Sequence, residues 1–287
     1  MNIPVLVLSL LLGIFLPWGH SYTFLVRPLV MIMLFFAFLG MQLDRQTIRW
    51  THLLILLANV GIALGSYALL APWQHDLAMT AFLTGIMPTA AAAPSITGYL
   101  QARVDYVTFS TFFTSLAIAA LLPLLLPPLL SGTVEIALGE VLWPVLSLML
   151  IPLGLAWGVR FSSARLRAWL LRYQRLSFWC FMANVYLASS KASHFVQHTL
   201  AGQWTLLLWI ALVAGLLCLL NFELGRLLGG PNRRVEGGMA LGRKNTMFSL
   251  WVALTFVSPL AALGPMCYII WQNLYNSVQL WRRQRRA

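Results

Sequence analysis

The chain has 287 residues, of which 60% are apolar and only 9% are charged. A soluble domain needs roughly a quarter charged residues to cover its surface, so this composition excludes an ordinary water-soluble protein. The formal net charge is +12, but the basic residues lie in the breaks between apolar runs, which indicates membrane topology rather than nucleic-acid binding.

Apolar runs long enough to cross a hydrocarbon core of about 30 Å follow one another along the whole chain. We therefore predict an all-α integral membrane protein of about ten transmembrane helices, as a single domain over 1–287. The predicted spans are 3–18, 24–43, 52–71, 77–100, 106–129, 141–160, 176–193, 203–225, 236–257 and 264–281. A basic tail, 282–287, follows the last span.

Basic residues are unevenly divided between the two sides of this ten-span arrangement. One side has only Arg27 and Lys191. The other side carries Arg45, Arg49, Arg103, Arg160, Arg165, Arg167, Arg172, Arg175, Arg226, Arg233 and Arg234, together with Arg282, Arg283, Arg285 and Arg286 in the tail. The positive-inside rule then predicts a multi-pass protein of the plasma (inner) membrane with both termini in the cytoplasm.

The fourth predicted span contains two prolines, Pro88 and Pro94, separated by an alanine-rich segment. Proline removes a backbone donor and clashes with the preceding helical turn, so this pair predicts an interrupted helix at membrane depth. The backbone groups freed by the interruption cannot face lipid. They must be buried in protein or line a water-filled cavity.

The ninth predicted span carries Gly242, Arg243, Lys244 and Asn245 about a third of the way into an apolar run. A charge at the centre of a bilayer costs at least about 2.5–3.5 kcal/mol, so these cations should face the protein interior or water. The alternative is that the span starts later and that Arg243 and Lys244 belong to the cytoplasmic loop.

Spans four and nine occupy equivalent places in two halves of five spans, 1–130 and 141–281. An odd number of spans per half inverts the second half relative to the first. Paired interrupted helices in inverted repeats are typical of the central binding site of a secondary transporter, where the ends of half-helices face the ligand.

Several segments carry a family resemblance in their order and spacing. They are 35–43 in span two, 88–100 in span four, the following Asp105, Asn221 to Gly225 in span eight, and Gly264 to Asn273 in span ten. Together they resemble the bile acid:sodium symporter superfamily. The resemblance implies ten spans in two inverted five-helix repeats, with the fourth and ninth helices unwound and crossing.

The ninth span departs from the family pattern at the sodium site. In sodium-coupled members a glutamate and a glutamine of this helix supply oxygen ligands. Here Ala240 and Lys244 stand at those positions, while Gly242 and Asn245 match. An ammonium group supplies no oxygen ligand and repels a neighbouring cation, so we expect transport without sodium, as uniport or coupled to protons.

These residues predict a substrate site at the crossing helices. We expect Lys244 to act as a tethered cation in the place of sodium, bonded to Thr89, Ser95, Thr97 and the carbonyls around Pro88 and Pro94. Arg243 is a bidentate donor for a carboxylate or sulfonate, which favours a small organic anion as substrate. The predicted substrate-binding residues are Thr89, Pro94, Ser95, Thr97, Arg243, Asn245 and Asn273.

Two alternatives have the same fold: a sodium-coupled symporter of the bile-acid type, and a membrane sensor that does not transport. An intramembrane enzyme is not expected, because the spans show no nucleophile–base pair, paired aspartates or HExxH motif. No cofactor and no metal site are predicted.

Overall fold

A computed structural model describes residues 3–41, 47–130, 138–199 and 204–285. Arg45 and Arg286, which entered the topology prediction, lie outside these residues. The described chain forms α1 (Ile3–Phe15), α2 (Val26–Gly40), α3 (Thr51–Leu70), α4 (His75–Ile86), α5 (Ala93–Tyr99), α6 (Val104–Leu130), α7 (Leu138–Ser162), α8 (Ala164–Leu171), α9 (Arg175–Thr199), α10 (Trp204–Leu228), α11 (Arg234–Gly242), α12 (Thr246–Val252) and α13 (Pro259–Gln284). A 3₁₀ segment (Pro17–Leu25) precedes α2, and a π-helical turn (Ala253–Val257) follows α12.

The helices have the length and composition of membrane-spanning segments. Within the described residues, five helical stretches are long and apolar enough to cross a bilayer. They are Pro17–Gly40, Thr51–Leu70, Val104–Leu130, Gly139–Ser162 and Trp204–Leu228. Val5–Phe15 and Thr246–Val257 are apolar but shorter. This all-helical architecture is that of a membrane protein.

The fourth predicted span is interrupted, as its prolines indicated. Helix α4 ends at Ile86, and Met87 is extended with ψ of 134°. The residue before a proline is pushed toward this extended region, so Pro88 explains where the helix stops. Pro94 lies in the first turn of α5, where its missing N–H costs nothing. The two prolines therefore have different roles, one ending a helix and the other starting the next.

The ninth predicted span is interrupted at the residues that carry its charges. Helix α11 ends at Gly242, and Arg243 is extended with φ of −84° and ψ of 97°. Helix α12 begins at Thr246. The chain is already helical from Arg234, so Arg243 and Lys244 lie between two helices and not in a loop that precedes the span.

Helix α8 lies in a stretch where we predicted only a loop. Its start has a local cause, because the Ser163 hydroxyl accepts a hydrogen bond from the Leu166 amide at 3.2 Å. Serine in this position satisfies one of the free N–H groups of the first turn. The basic residues that flank and follow this cap had suggested only a cytoplasmic connection.

The contacts divide the chain into two compact units. The first comprises Met1–Met41, Ala119–Trp204 and Leu250–Ala262, and the second comprises Gln42–Ile118, Thr205–Ser249 and Leu263–Ala287. In the first unit, α9 packs against α1, α2 and the 3₁₀ segment. Arg160 and Arg167 of this unit donate to the carbonyl oxygens of Met41 and Leu39, at 3.0 and 3.1 Å. These bonds satisfy acceptors that the end of α2 leaves free.

The second unit relies on close approaches between helix backbones. A Cβ atom on Gly85 of α4 would lie 2.8 Å from the Cα of Ala63 in α3. Helices α10 and α11 approach each other just as closely, because a Cβ atom on Gly225 would overlap the carbonyl group of Gly237. Small residues allow such packing in membrane proteins, where water provides no force that drives helices together.

We predict that Gly225→Ala lowers the stability of the protein, because the added methyl group must push α11 away from α10. The expected cost is about 1–3 kcal/mol, the range for overpacking a close contact. Thermal unfolding of the purified protein in detergent would measure it.

Gly65→Ala provides the matched control, since a Cβ at this glycine of α3 meets no other atom within 4 Å. Alanine is the better helix former by about 1 kcal/mol, so this variant should be as stable as the parent or more so. Equal losses in both variants would contradict the packing described here.

Candidate functional site

The two interruptions meet in the second unit through their backbones. Thr89 and Lys244 form an isolated antiparallel bridge. The Ala90 amide donates to the Arg243 carbonyl oxygen at 2.8 Å, and the Asn245 amide donates to the Pro88 carbonyl oxygen at 2.8 Å. Interrupted helices leave backbone groups that need partners at membrane depth, and here each interruption supplies partners to the other.

Side chains of the long helices complete the hydrogen bonding of the bridge. The Thr89 amide donates to Oγ1 of Thr114 in α6, at 3.0 Å. The Lys244 amide donates to Oε1 of Gln272 in α13, also at 3.0 Å. Each bridge residue thus has its N–H satisfied by a polar side chain from the next long helix along the chain, α6 for Thr89 and α13 for Lys244. Neither Thr114 nor Gln272 was among the predicted site residues.

The Lys244 side chain ends among oxygen atoms at the carboxyl end of α4. Its ammonium donates to Oδ1 of Asn59 and, at 3.0 Å, to the carbonyl oxygen of Gly85. The Asn59 amide nitrogen in turn donates to the carbonyl oxygens of Ile86 and Met87, at 3.2 and 3.1 Å. A cation is favoured at this place, because the end of a helix carries partial negative charge on its free carbonyls.

This set of partners differs from the one we predicted for Lys244. The Thr89 hydroxyl donates to the Ala240 carbonyl oxygen, and the Thr97 hydroxyl donates to the Ala93 carbonyl oxygen within its own helix. Ser95 is exposed. The expectation that these hydroxyls bond the ammonium is therefore wrong, and the one carbonyl oxygen that accepts from it is that of Gly85 in α4, before Pro88.

The other predicted residues also lie close to the bridge. Arg243 is 3% exposed, and its Nη1 donates to Oδ1 of Asn273 at 2.6 Å. Asn273 is buried, and its Nδ2 has no hydrogen-bond partner within the described chain. Oδ1 of Asn245 accepts a bond from the Phe248 amide at 3.3 Å, which caps the start of α12.

Two polar residues of α3, Asn59 and His52, were not among the predicted site residues. Asn59 donates to the Ile86 carbonyl oxygen of α4 and accepts a bond from the Lys244 ammonium. His52 is buried, with Nδ1 2.7 Å from the Ser110 hydroxyl and Nε2 3.2 Å from the Thr47 carbonyl oxygen. A polar residue inside an apolar helix was the available signal for Asn59.

In the part of the chain that the structure describes, no group of three or more His, Cys, Asp or Glu side chains is placed to hold a metal ion. The oxygen-rich position at the end of α4 is filled instead by the Lys244 ammonium.

Comparison of the chain with known proteins assigns no family. No protein-family model matches the sequence, and no curated protein matches it. The geometry of the bridge between Thr89 and Lys244 is therefore the main basis for a functional proposal.

We predict energetic coupling between Asn59 and Lys244. Asn59→Ala removes an oxygen partner from a buried ammonium and should cost about 2–3 kcal/mol, as for a hydrogen bond to a charged group. In a Lys244→Met background the same change should cost at least about 1 kcal/mol less, because the charge that needs the oxygen is absent. Thermal unfolding of the two single variants and the double variant measures the difference. Strictly additive effects would show that the bond contributes nothing.

Proposed function

We propose that the protein is a secondary transporter of a small organic anion that works without sodium. The observation that carries the proposal is the position of the Lys244 ammonium between Oδ1 of Asn59 and the carbonyl oxygen of Gly85. Amide and carbonyl oxygens are the donors that a hard cation takes in proteins. A lysine in this position can hold the crossing together permanently, so no free ion is needed for that purpose.

The reciprocal bridge supports the transporter fold. Each interrupted segment gives one amide donor and one carbonyl acceptor to the other, and each bridge amide is bonded by the next long helix. Interrupted helices at the interface of two repeats of opposite orientation are typical of secondary transporters. We therefore propose ten spans in two inverted halves, 1–130 and 141–281, in the plasma (inner) membrane with both termini in the cytoplasm.

Positive charge at the crossing supports an anionic substrate. Arg243 and Lys244 are adjacent in sequence and both are buried. Among the described residues Glu236 is the buried acidic side chain, and its Oε1 accepts a bond from the Arg103 amide. An anion that enters the crossing would balance the two cations, with Arg243 as a donor to its carboxylate or sulfonate group. The unpartnered Nδ2 of Asn273 offers a further donor.

One observation favours a second candidate, a membrane sensor that does not transport. Lys244 is 2% exposed, and its ammonium joins α3 and α4 to the ninth predicted span through two hydrogen bonds. Its amide is bonded to Gln272 of α13. A crossing tied in this way could be locked. Substrate must cross the membrane in uniport and in proton-coupled transport. A sensor of this kind would bind substrate without moving it across.

The test is uptake of labelled organic anions, including a conjugated bile acid and small carboxylates, into proteoliposomes that contain the purified protein. We expect uptake that is unchanged when sodium is replaced by potassium. Lys244→Gln should reduce the initial rate at least about tenfold, since the loss of one charged hydrogen-bonding group is worth that much. Lys191→Gln, which removes a cation of α9 in the first unit, should leave the rate unchanged.

Three outcomes would count against the proposal. Uptake that requires sodium would show that Lys244 does not replace the ion. An unchanged rate in Lys244→Gln would remove its role in the crossing. Lack of uptake for every anion, with the protein folded, would favour the sensor.

A further inference from the structure

Helix α2 carries one charge in an otherwise apolar sequence, and that charge is Arg27 in the first turn. Arg27 is half-buried, and a charge in an apolar surrounding is costly unless the guanidinium finds partners. The partners of Arg27 are therefore informative.

The described contacts of the Arg27 guanidinium are with Ser147 of α7 and Trp251 of α12, two residues of the first unit. Its Nη2 donates to the Ser147 hydroxyl at 2.7 Å. Ser147 in turn donates to the Pro144 carbonyl oxygen at 3.0 Å, so its oxygen is free to accept from Arg27. The guanidinium carbon lies 5.9 Å from the centre of the Trp251 ring, within the range of a cation–π contact. Ser147 and Trp251 are each 4% exposed.

These contacts leave the charge of Arg27 unbalanced. The buried Nε has no hydrogen-bond partner, and no carboxylate lies within ion-pair distance, among the residues that the structure describes. A guanidinium has five N–H donors in a flat fork that matches the two oxygens of a carboxylate or sulfonate. A neutral hydroxyl and an aromatic face hold the group in place without satisfying that fork.

We propose that Arg27, Ser147 and Trp251 form an anion-binding site for a carboxylate or sulfonate attached to an apolar or aromatic body. The anionic head binds the Arg27 fork, which Ser147 orients. The body packs beside Trp251, whose ring also contacts Phe256 at 5.6 Å in an edge-on arrangement. Trp251 belongs to α12, the helix that begins directly after the Lys244 interruption.

The site does not depend on the transport proposal, since it is detected by binding and not by uptake. Isothermal titration of the purified full-length protein with naphthalenesulfonate measures it, with the uncharged naphthalenesulfonamide and inorganic sulfate as comparison ligands. We expect the sulfonate to bind at least about tenfold more tightly than either, because only it has both a charged head and an aromatic body.

The variants separate Arg27 from general attraction of anions to a basic protein. Arg27→Gln should weaken sulfonate binding at least about tenfold. Arg27→Lys keeps the charge but loses the fork of donors. Its affinity for the sulfonate should lie between the affinities of the parent protein and of Arg27→Gln. Lys191→Gln removes the other cation on the same predicted side and should change the affinity less than about twofold, because no contact of this site includes it.

Unchanged affinity in Arg27→Gln would overturn the site, as would equal binding of sulfonate and sulfonamide by the parent protein. An equal loss in Lys191→Gln would show attraction by net charge alone. If Arg27→Gln does not fold, Ser147→Ala decides, since it removes only the group that orients Arg27. An affinity for the sulfonate equal to that of the parent would then overturn the proposal.

Discussion

A buried ammonium group must be surrounded by oxygen atoms, and the Lys244 ammonium obtains them from α3 and α4. This requirement determines much of the second unit. The lysine needs a carbonyl oxygen that accepts no hydrogen bond within a helix. Pro88 provides one, because it ends α4 at Ile86 and so leaves the Gly85 carbonyl oxygen free to accept from the ammonium. It also needs Asn59 nearby, and the approach of Gly85 to Ala63 brings α3 close enough. The Lys244 charge, the interruption of α4 before Pro88 and the close packing of Gly85 against α3 therefore depend on one another.

The bridge between Thr89 and Lys244 depends on the same geometry. Two interrupted helices in an apolar surrounding each have free amides and carbonyls, and neither can satisfy them within its own helix. Their reciprocal bonds solve the problem for both, and Thr114 and Gln272 supply the remaining partners. The buried hydrogen bonds around this bridge in the second unit therefore exist because two helices are interrupted, and they satisfy the backbone groups that the interruptions leave free.

The sequence predicted both interruptions, because proline and paired charges in apolar runs have direct physical costs. Of the residues predicted around them, Arg243 and Asn273 are joined by a hydrogen bond in the structure. The partners of Lys244 were not predictable from spacing. Whether a threonine hydroxyl faces the ammonium or its own backbone depends on its rotamer, and Thr97 bonds Ala93 one turn earlier in the same helix.

Arg160 and Arg167 were taken as evidence for a cytoplasmic loop. In the structure they also have a second role, at the end of α2. Arg167 donates to the Leu39 carbonyl oxygen in the last turn of α2, and Arg160 donates to the carbonyl oxygen of Met41, which directly follows the helix. Experiments that reverse the orientation of membrane proteins by replacing loop arginines assume that such residues act only during insertion. In this protein, replacement of either arginine would also remove a cap from α2. A reporter fused to the end of the chain would therefore mix loss of orientation with loss of folding, and the two can be separated only by replacing arginines that make no such bond.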